Sequence, residues 1–96
     1  AAGKLGTLIG CGLVHMREFN LGIPGRIDFY LTAGFVGIEV KTDGGPSDVL
    51  IQLIRYAESP LIDALILLSR KQALIPKVQI LRGKPFCGIW APGSPY

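Results

Sequence analysis

RIDFYLTAGFVGIEVK, residues 26–41, is the stretch on which the reading of this chain turns. Apolar and polar residues alternate on either side of Ala33-Gly34, which predicts a β-hairpin with strands over 26–32 and 35–41. Ile27, Phe29 and Leu31 share one face of the first strand, and Arg26, Asp28 and Tyr30 the other. On the second strand Ile38 and Val40 share a face, while Glu39 and Lys41 lie opposite. If Ala33-Gly34 forms the loop, cross-strand partners have numbers summing to 67, which sets Asp28 against Glu39. Ala33 is ill suited to the positive φ of a two-residue primed turn. A three-residue loop would shift the register by one and part the two acids; a four-residue loop, Thr32 to Phe35, restores it.

In that register the two carboxylates have Cβ atoms about 4.5–5.5 Å apart. Like charges so placed are destabilising unless a positive charge lies between them. A hard divalent cation, Mg²⁺ or Mn²⁺, suits such oxygen ligands. Lys41 stands on the same face, about 6–7 Å farther along the strand, where an ammonium could orient a water or meet charge developing on a phosphate. The plainer alternative is a pair of solvated strand charges with Arg26 and Lys41 as salt-bridge partners.

Outward from the hairpin, CGLVHMREFNL (11–21) reads as a strand and GIPG (22–25) as a turn. Residues 1–10 are too glycine-rich to assign. After TDGGP, Ser47 is the expected N-cap of a helix reaching about Glu58, with Asp48 in its first turn. Leu50, Leu53, Ile54 and Ala57 form its core stripe. Asp48, Gln52 and Tyr56 form a polar stripe beside it, which is either a solvated face or a set laid against the carboxylates. DALILLSR (63–70) has the apolar continuity of a central strand buried on both faces, and KVQILRG with PFCGIWA predicts a terminal hairpin around Gly83–Pro85. The expected fold is a single α+β domain over 1–96, sandwich-like, with a mixed sheet in the order β-β-β-α-β plus a C-terminal hairpin.

Ninety-six residues with 49% hydrophobic and 18% charged content exclude a disordered chain and suggest that some apolar surface is covered by a second subunit. The net charge of +3 is compatible with nucleic acid but too small to argue for it alone. Cys11 and Cys87 form no C-x-x-C pair and read as buried thiols of a reducing compartment. No apolar run reaches the about 20 residues of a membrane helix, and no signal-peptide pattern stands at Ala1, so a cytoplasmic protein is expected.

GRID (25–28), IEVK (38–41) and QLIRY (52–56) together resemble the PD-(D/E)XK nuclease superfamily, with its Asp on one strand, Glu-x-Lys on the next and a helix after it. The Gln-x-x-x-Tyr spacing is similar to the RecB-like branch, while GIPG and GGPS resemble the compact VRR-NUC nucleases, so the branch stays open. Ile27 stands where the family name has proline. The resemblance covers residues 25 to about 70, and it implies a restriction-endonuclease-like core and a Mg²⁺- or Mn²⁺-dependent deoxyribonuclease. It implies Asp28, Glu39 and the Val40 carbonyl as metal ligands, Lys41 as catalytic lysine, and Gln52 and Tyr56 as groups near the DNA phosphate. Glu18 is either a third metal ligand or the ion-pair partner of Arg17 or Arg26.

Arg26, Gln52, Arg55, Tyr56 and Lys71 are the expected DNA contacts. Lys71, Lys77, Arg82 and Lys84 form either a phosphate-tracking set or a solvated rim. His15 reads as structural. Phe86 and Trp90 read as core or subunit interface, with base stacking by Trp90 the alternative. The GGP loop lacks the nucleotide-binding GxxxxGK pattern. The expected partner is DNA, bound by a homodimer or larger assembly. The alternatives are a nuclease-like module that binds nucleic acid or protein without cutting, and a structural subunit.

Overall fold

The computed structural model describes residues 15–93. The expectations for residues 1–10, for Cys11 and for the start of the first strand lie outside them. Six strands and one helix of more than one turn are described: β1 (His15–Asn20), β2 (Arg26–Leu31), β3 (Val36–Lys41), α1 (Pro46–Ala57), β4 (Ala64–Ser69), β5 (Ile80–Leu81) and β6 (Lys84–Trp90). They form one mixed sheet in the order β1-β2-β3-β4-β6-β5, an α+β arrangement. The pairs β1–β2, β2–β3 and β5–β6 are antiparallel, and β3–β4 and β4–β6 parallel. Among the described residues no helix is long and apolar enough to cross a membrane.

Strands β2 and β3 pair Leu31 with Val36, Tyr30 with Gly37 and Phe29 with Ile38, the register summing to 67. The loop that sets it is the four-residue Thr32–Phe35, not the Ala33-Gly34 pair. Gly34 (φ 85°) and Phe35 (φ 54°) supply its left-handed turn, which spares Ala33 that conformation. The preceding loop is one residue longer than GIPG, because Leu21 leaves the strand to enter the core. Its N–H bonds the Gly25 carbonyl at 2.9 Å.

The expected sharing of a face by Ile27, Phe29 and Leu31 is corrected. Ile27 packs with Tyr30, Leu53, Tyr56 and Leu65 on the helix-covered face, whereas Phe29 and Leu31 join Ile38 and Leu68 on the other. The edge strand shows the same slip. Arg17 lies over Phe29, yet Phe19, two residues on, stacks on Tyr30 of the helix side at 4.3 Å. Between them Glu18 has φ 49°, a twist that turns the following residues over. Strand alternation therefore changes phase at the level of Glu18 and Asp28.

Other expectations shift for local reasons. Gly45, not Ser47, is the N-cap residue of α1, since Pro46 fits the first helical position, where its missing N–H costs nothing. The buried stripe is Val49, Leu53, Tyr56 and Ala57, with Leu50 and Ile54 at its margin. β4 is central and buried on both faces, as its composition implies: Leu65 and Leu67 face the helix, and Leu68 lies on the opposite side. The last hairpin turns at Arg82-Gly83 (φ 51° and 76°), a primed two-residue turn, rather than at Gly83–Pro85. Its second strand is no appendage, because β6 pairs with β4 from Phe86 to Trp90. That placement exposes Cys87, contrary to the buried thiol expected, while Phe86 is buried and Trp90 half exposed.

Gly37 leaves room for the side chains of Ile27, Ile62 and Leu65 to meet over the sheet. A Cβ there would lie 2.5 Å from Ile27 Cδ1, 2.8 Å from Ile62 Cδ1 and 3.1 Å from Leu65 Cδ2. All three neighbours are at most 2% exposed and have nowhere to rotate. Gly37→Ala is therefore expected to cost about 1–3 kcal/mol through overpacking. The urea midpoint measures it, and an unchanged midpoint would mean that these methyl groups yield freely.

Candidate functional site

One step past the Phe29–Ile38 pair, the β2–β3 ladder gives way to side chains. The Val40 N–H donates to Asp28 Oδ2 at 2.8 Å, and the Asp28 N–H donates to Glu39 Oε1 at 3.3 Å. Each strand thus gives a main-chain donor to the other's carboxylate, which holds the two acids side by side where the strands would otherwise bond backbone to backbone. The register argument predicted this juxtaposition.

Helix α1 completes the surroundings of Glu39. Its stripe of Gln52 and Tyr56, one turn apart, meets the carboxylates, while Asp48 stays exposed. The Tyr56 hydroxyl accepts a hydrogen bond from Gln52 Nε2 at 2.7 Å, donates to the Arg26 carbonyl at 2.8 Å, and lies 3.4 Å from Glu39 Oε2. Lys41 Nζ approaches the same Oε2 at 3.3 Å. Asp28, Glu39, Lys41, Gln52 and Tyr56 are therefore joined in one hydrogen-bonded set. They come from two adjacent strands and the helix that follows.

Glu39 is the centre of this set and is only 3% exposed. Burial pushes its carboxyl up to about 7, the Asp28 carboxylate adds to the rise, and the Lys41 ammonium opposes it. The Tyr56 hydroxyl faces two acceptors, the nearer Arg26 carbonyl and Glu39 Oε2, and the Lys41 ammonium meets the same Oε2. Burial, followed by the Glu39 and Asp28 charges, raises the Tyr56 phenol above its ordinary value, so it stays neutral.

Tyr56 is 1% exposed, so the approach to a phosphate implied for it is closed to its side chain; its hydroxyl orients Glu39 instead. The Arg26 side chain is exposed, and its carbonyl is what enters the set. Arg55 is exposed beside Gln52, where it lines a cleft of about 380 Å³ with Pro24, Asp48 and Ile51. A larger cleft of about 670 Å³, shared by Pro24, Arg55 and Glu58, lies away from the carboxylates. Lys71 follows Ser69, the parallel partner of Lys41, so it stands at the same end of the sheet. The buried Ser69 hydroxyl bonds both the N–H and the carbonyl of Lys71, and Lys71 Nζ reaches Asp43 at 2.9 Å. Lys84 and Arg82 are turned to other tasks: Lys84 Nζ donates to the Ser59 carbonyl, and Arg82 lies 4.0 Å from Glu58.

Glu18 falls in line with Asp28 across β1–β2, since Arg17 pairs with Phe29 and Phe19 with Ile27. Arg17, Glu18, Asp28, Phe29 and Val40 line a cleft of about 210 Å³. Among the described residues Glu18 forms no ion pair with Arg17 or Arg26. Nor, among them, are three or more His, Cys, Asp or Glu side chains arranged to hold a metal. The donor set that remains is the Asp28–Glu39 pair, in which Asp28 Oδ1 accepts no hydrogen bond from a described residue. Two carboxylates fit a hard cation such as Mg²⁺, which keeps several waters and takes one or two carboxylates. The sequence offers Arg17 only as a partner for Glu18; its place over Phe29 comes from the β1–β2 register. No known protein family, curated protein or solved structure matches the chain.

Proposed function

We propose that this chain is a metal-dependent DNA nuclease with a restriction-endonuclease-like core of the PD-(D/E)XK kind. The observation that carries this reading is the buried Glu39 carboxylate tied to the half-buried Asp28 through main-chain donors, with Lys41 and Tyr56 converging on one of its oxygens. A carboxylate pushed to about 7 beside a second acid and an ammonium is the kind of perturbation that gathers where chemistry is done. Asp28 and Glu39 would hold Mg²⁺ or Mn²⁺, which when bound supplies Lewis acidity toward a phosphodiester. Lys41, 28% exposed at its side chain, orients the attacking water and meets negative charge on the phosphoryl oxygens. Tyr56 and Gln52 fix the Glu39 rotamer. Arg26, Arg55 and Lys71 are exposed cations that take neighbouring phosphates.

A chain of this size encloses little of a duplex, so the reading includes a homodimer or larger assembly that sets two such sites on one DNA. The same geometry also favours a second reading, a nuclease-like module that binds without cutting, since both Glu39 oxygens are already engaged by protein donors. The test that separates them is cleavage of linear, circular and branched DNA with Mg²⁺, comparing the wild type with Asp28→Asn. The nuclease reading expects cutting by the wild type and its loss in the variant. Binding by both proteins with cutting by neither would leave the module.

A further inference from the structure

We propose that Arg17 is a DNA-phosphate contact of the same site, holding the phosphate next to the scissile one in the cleft it shares with Asp28 and Val40. The inference rests on the nuclease reading and extends it to a residue outside the connected five.

Three observations meet here. The Arg17 guanidinium carbon lies 5.7 Å from the centroid of the Phe29 ring, a cation–π arrangement. Phe29 is 7% exposed and fixed in the sheet, so it is a rigid wall. A guanidinium held over a ring keeps the donors along its edge free for a phosphate oxygen, with little rotamer freedom left to lose. Second, no described carboxylate pairs with Arg17, although Glu18 is its chain neighbour. Third, Arg17 is the one cation among the five residues lining this cleft, and Asp28 and Val40 line it too. The cleft therefore reaches Asp28 of the pair from the sheet face opposite α1, the face on which Val40 also lies. Glu18 and Asp28 on the same wall repel an anion, so the stacked guanidinium decides whether a phosphate is admitted. The inverted backbone at Glu18 matters as well. It leaves Arg17 on the Phe29 side while Phe19 turns to the helix side.

The experiment measures affinity for a short labelled duplex by fluorescence anisotropy, with Ca²⁺ replacing Mg²⁺, over a series of salt concentrations. Steady-state cleavage with Mg²⁺ is measured in parallel. Arg17→Ala is expected to raise Kd about tenfold and to reduce the salt dependence by about one phosphate contact, a slope change of about 0.9. KM should rise with kcat within about twofold, the signature of lost uniform binding. Arg17→Lys should restore the salt slope but only part of the affinity, since lysine carries the charge without the planar fork. If the wild type binds and cuts DNA while Arg17→Ala keeps its affinity and slope, this proposal is overturned and the nuclease reading stands. If the wild type neither binds nor cuts DNA, both are overturned.

Discussion

Lys41→Ala is expected, on the nuclease reading proposed above, to slow DNA cleavage about 100- to 1,000-fold, the cost of removing one preorganised donor from a developing negative charge. DNA affinity should stay within about threefold, because a single partly buried ammonium adds little to binding spread over many phosphates. A second effect distinguishes a role at the reacting phosphate from a general loss of charge. Lys41 is what opposes burial and Asp28 in setting the ionisation of Glu39. Without it, the carboxyl is pushed still further up from its ordinary range. If activity requires ionised Glu39, the rising acidic limb of the rate profile moves to higher pH in the variant. Single-turnover rates from about pH 5 to about pH 9 read both effects. A variant that cuts at the wild-type rate would remove Lys41 from the chemistry.

Glu39→Gln is expected to make the protein more stable and, on the nuclease reading, inactive at the same time. The folded-state carboxyl titrates near 7 against an ordinary 4.5, so between these values the native chain holds a proton that the unfolded chain has released. The associated stability is fully present below about pH 4.5 and is lost as pH rises through about 7, amounting to about 3 kcal/mol for a shift of this size. Glutamine keeps an acceptor for the Asp28 N–H, keeps the contact with Tyr56, and brings no charge. Urea unfolding at about pH 8 should therefore show the variant more stable by up to that amount, with its stability flat across the window where the wild type declines. A wild type with no decline between pH 5 and pH 7 would mean that Glu39 is ionised throughout. Gain of stability with loss of activity is the pattern of a group held in an unfavourable state for its chemistry.

The parts of this fold that were legible in the sequence depend on short-range arithmetic. The register sum of 67, which a two- or a four-residue loop gives alike, brought Asp28 to Glu39, and the one-turn spacing of Gln52 and Tyr56 put both on one stripe of the helix. The continuous apolar run of β4 marked its central position. What escaped was set by contacts distant in sequence or by backbone geometry with no residue signature. The twist at Glu18 uses a residue type that does not announce positive φ, so the change of face at Ile27 could not be read from alternation. The parallel pairing of β6 with β4 leaves no local mark either, and without it the exposure of Cys87 had no basis. Tyr56 was read as polar for its hydroxyl, whereas its ring fills the core and only the oxygen reaches the site.

The ends of the sheet bear on how such an apolar chain meets its own copies. At one margin, β5 is two residues long, and Ile80 faces Pro85, which has no N–H to give. At the other, β1 is broken by its inverted Glu18 and flanked by the charge of Arg17. Both are devices that blunt strand-to-strand growth: a short rung, a proline, a kink and charge. Among the described strands β5 covers β6 only at Lys84 and Pro85, so the side of β6 away from β4 is open from Cys87 to Trp90, with Val78 and Ile80 exposed nearby. Self-templated growth is disfavoured at β1 and at the short β5 rung, and any strand-to-strand contact between copies falls to the open stretch of β6.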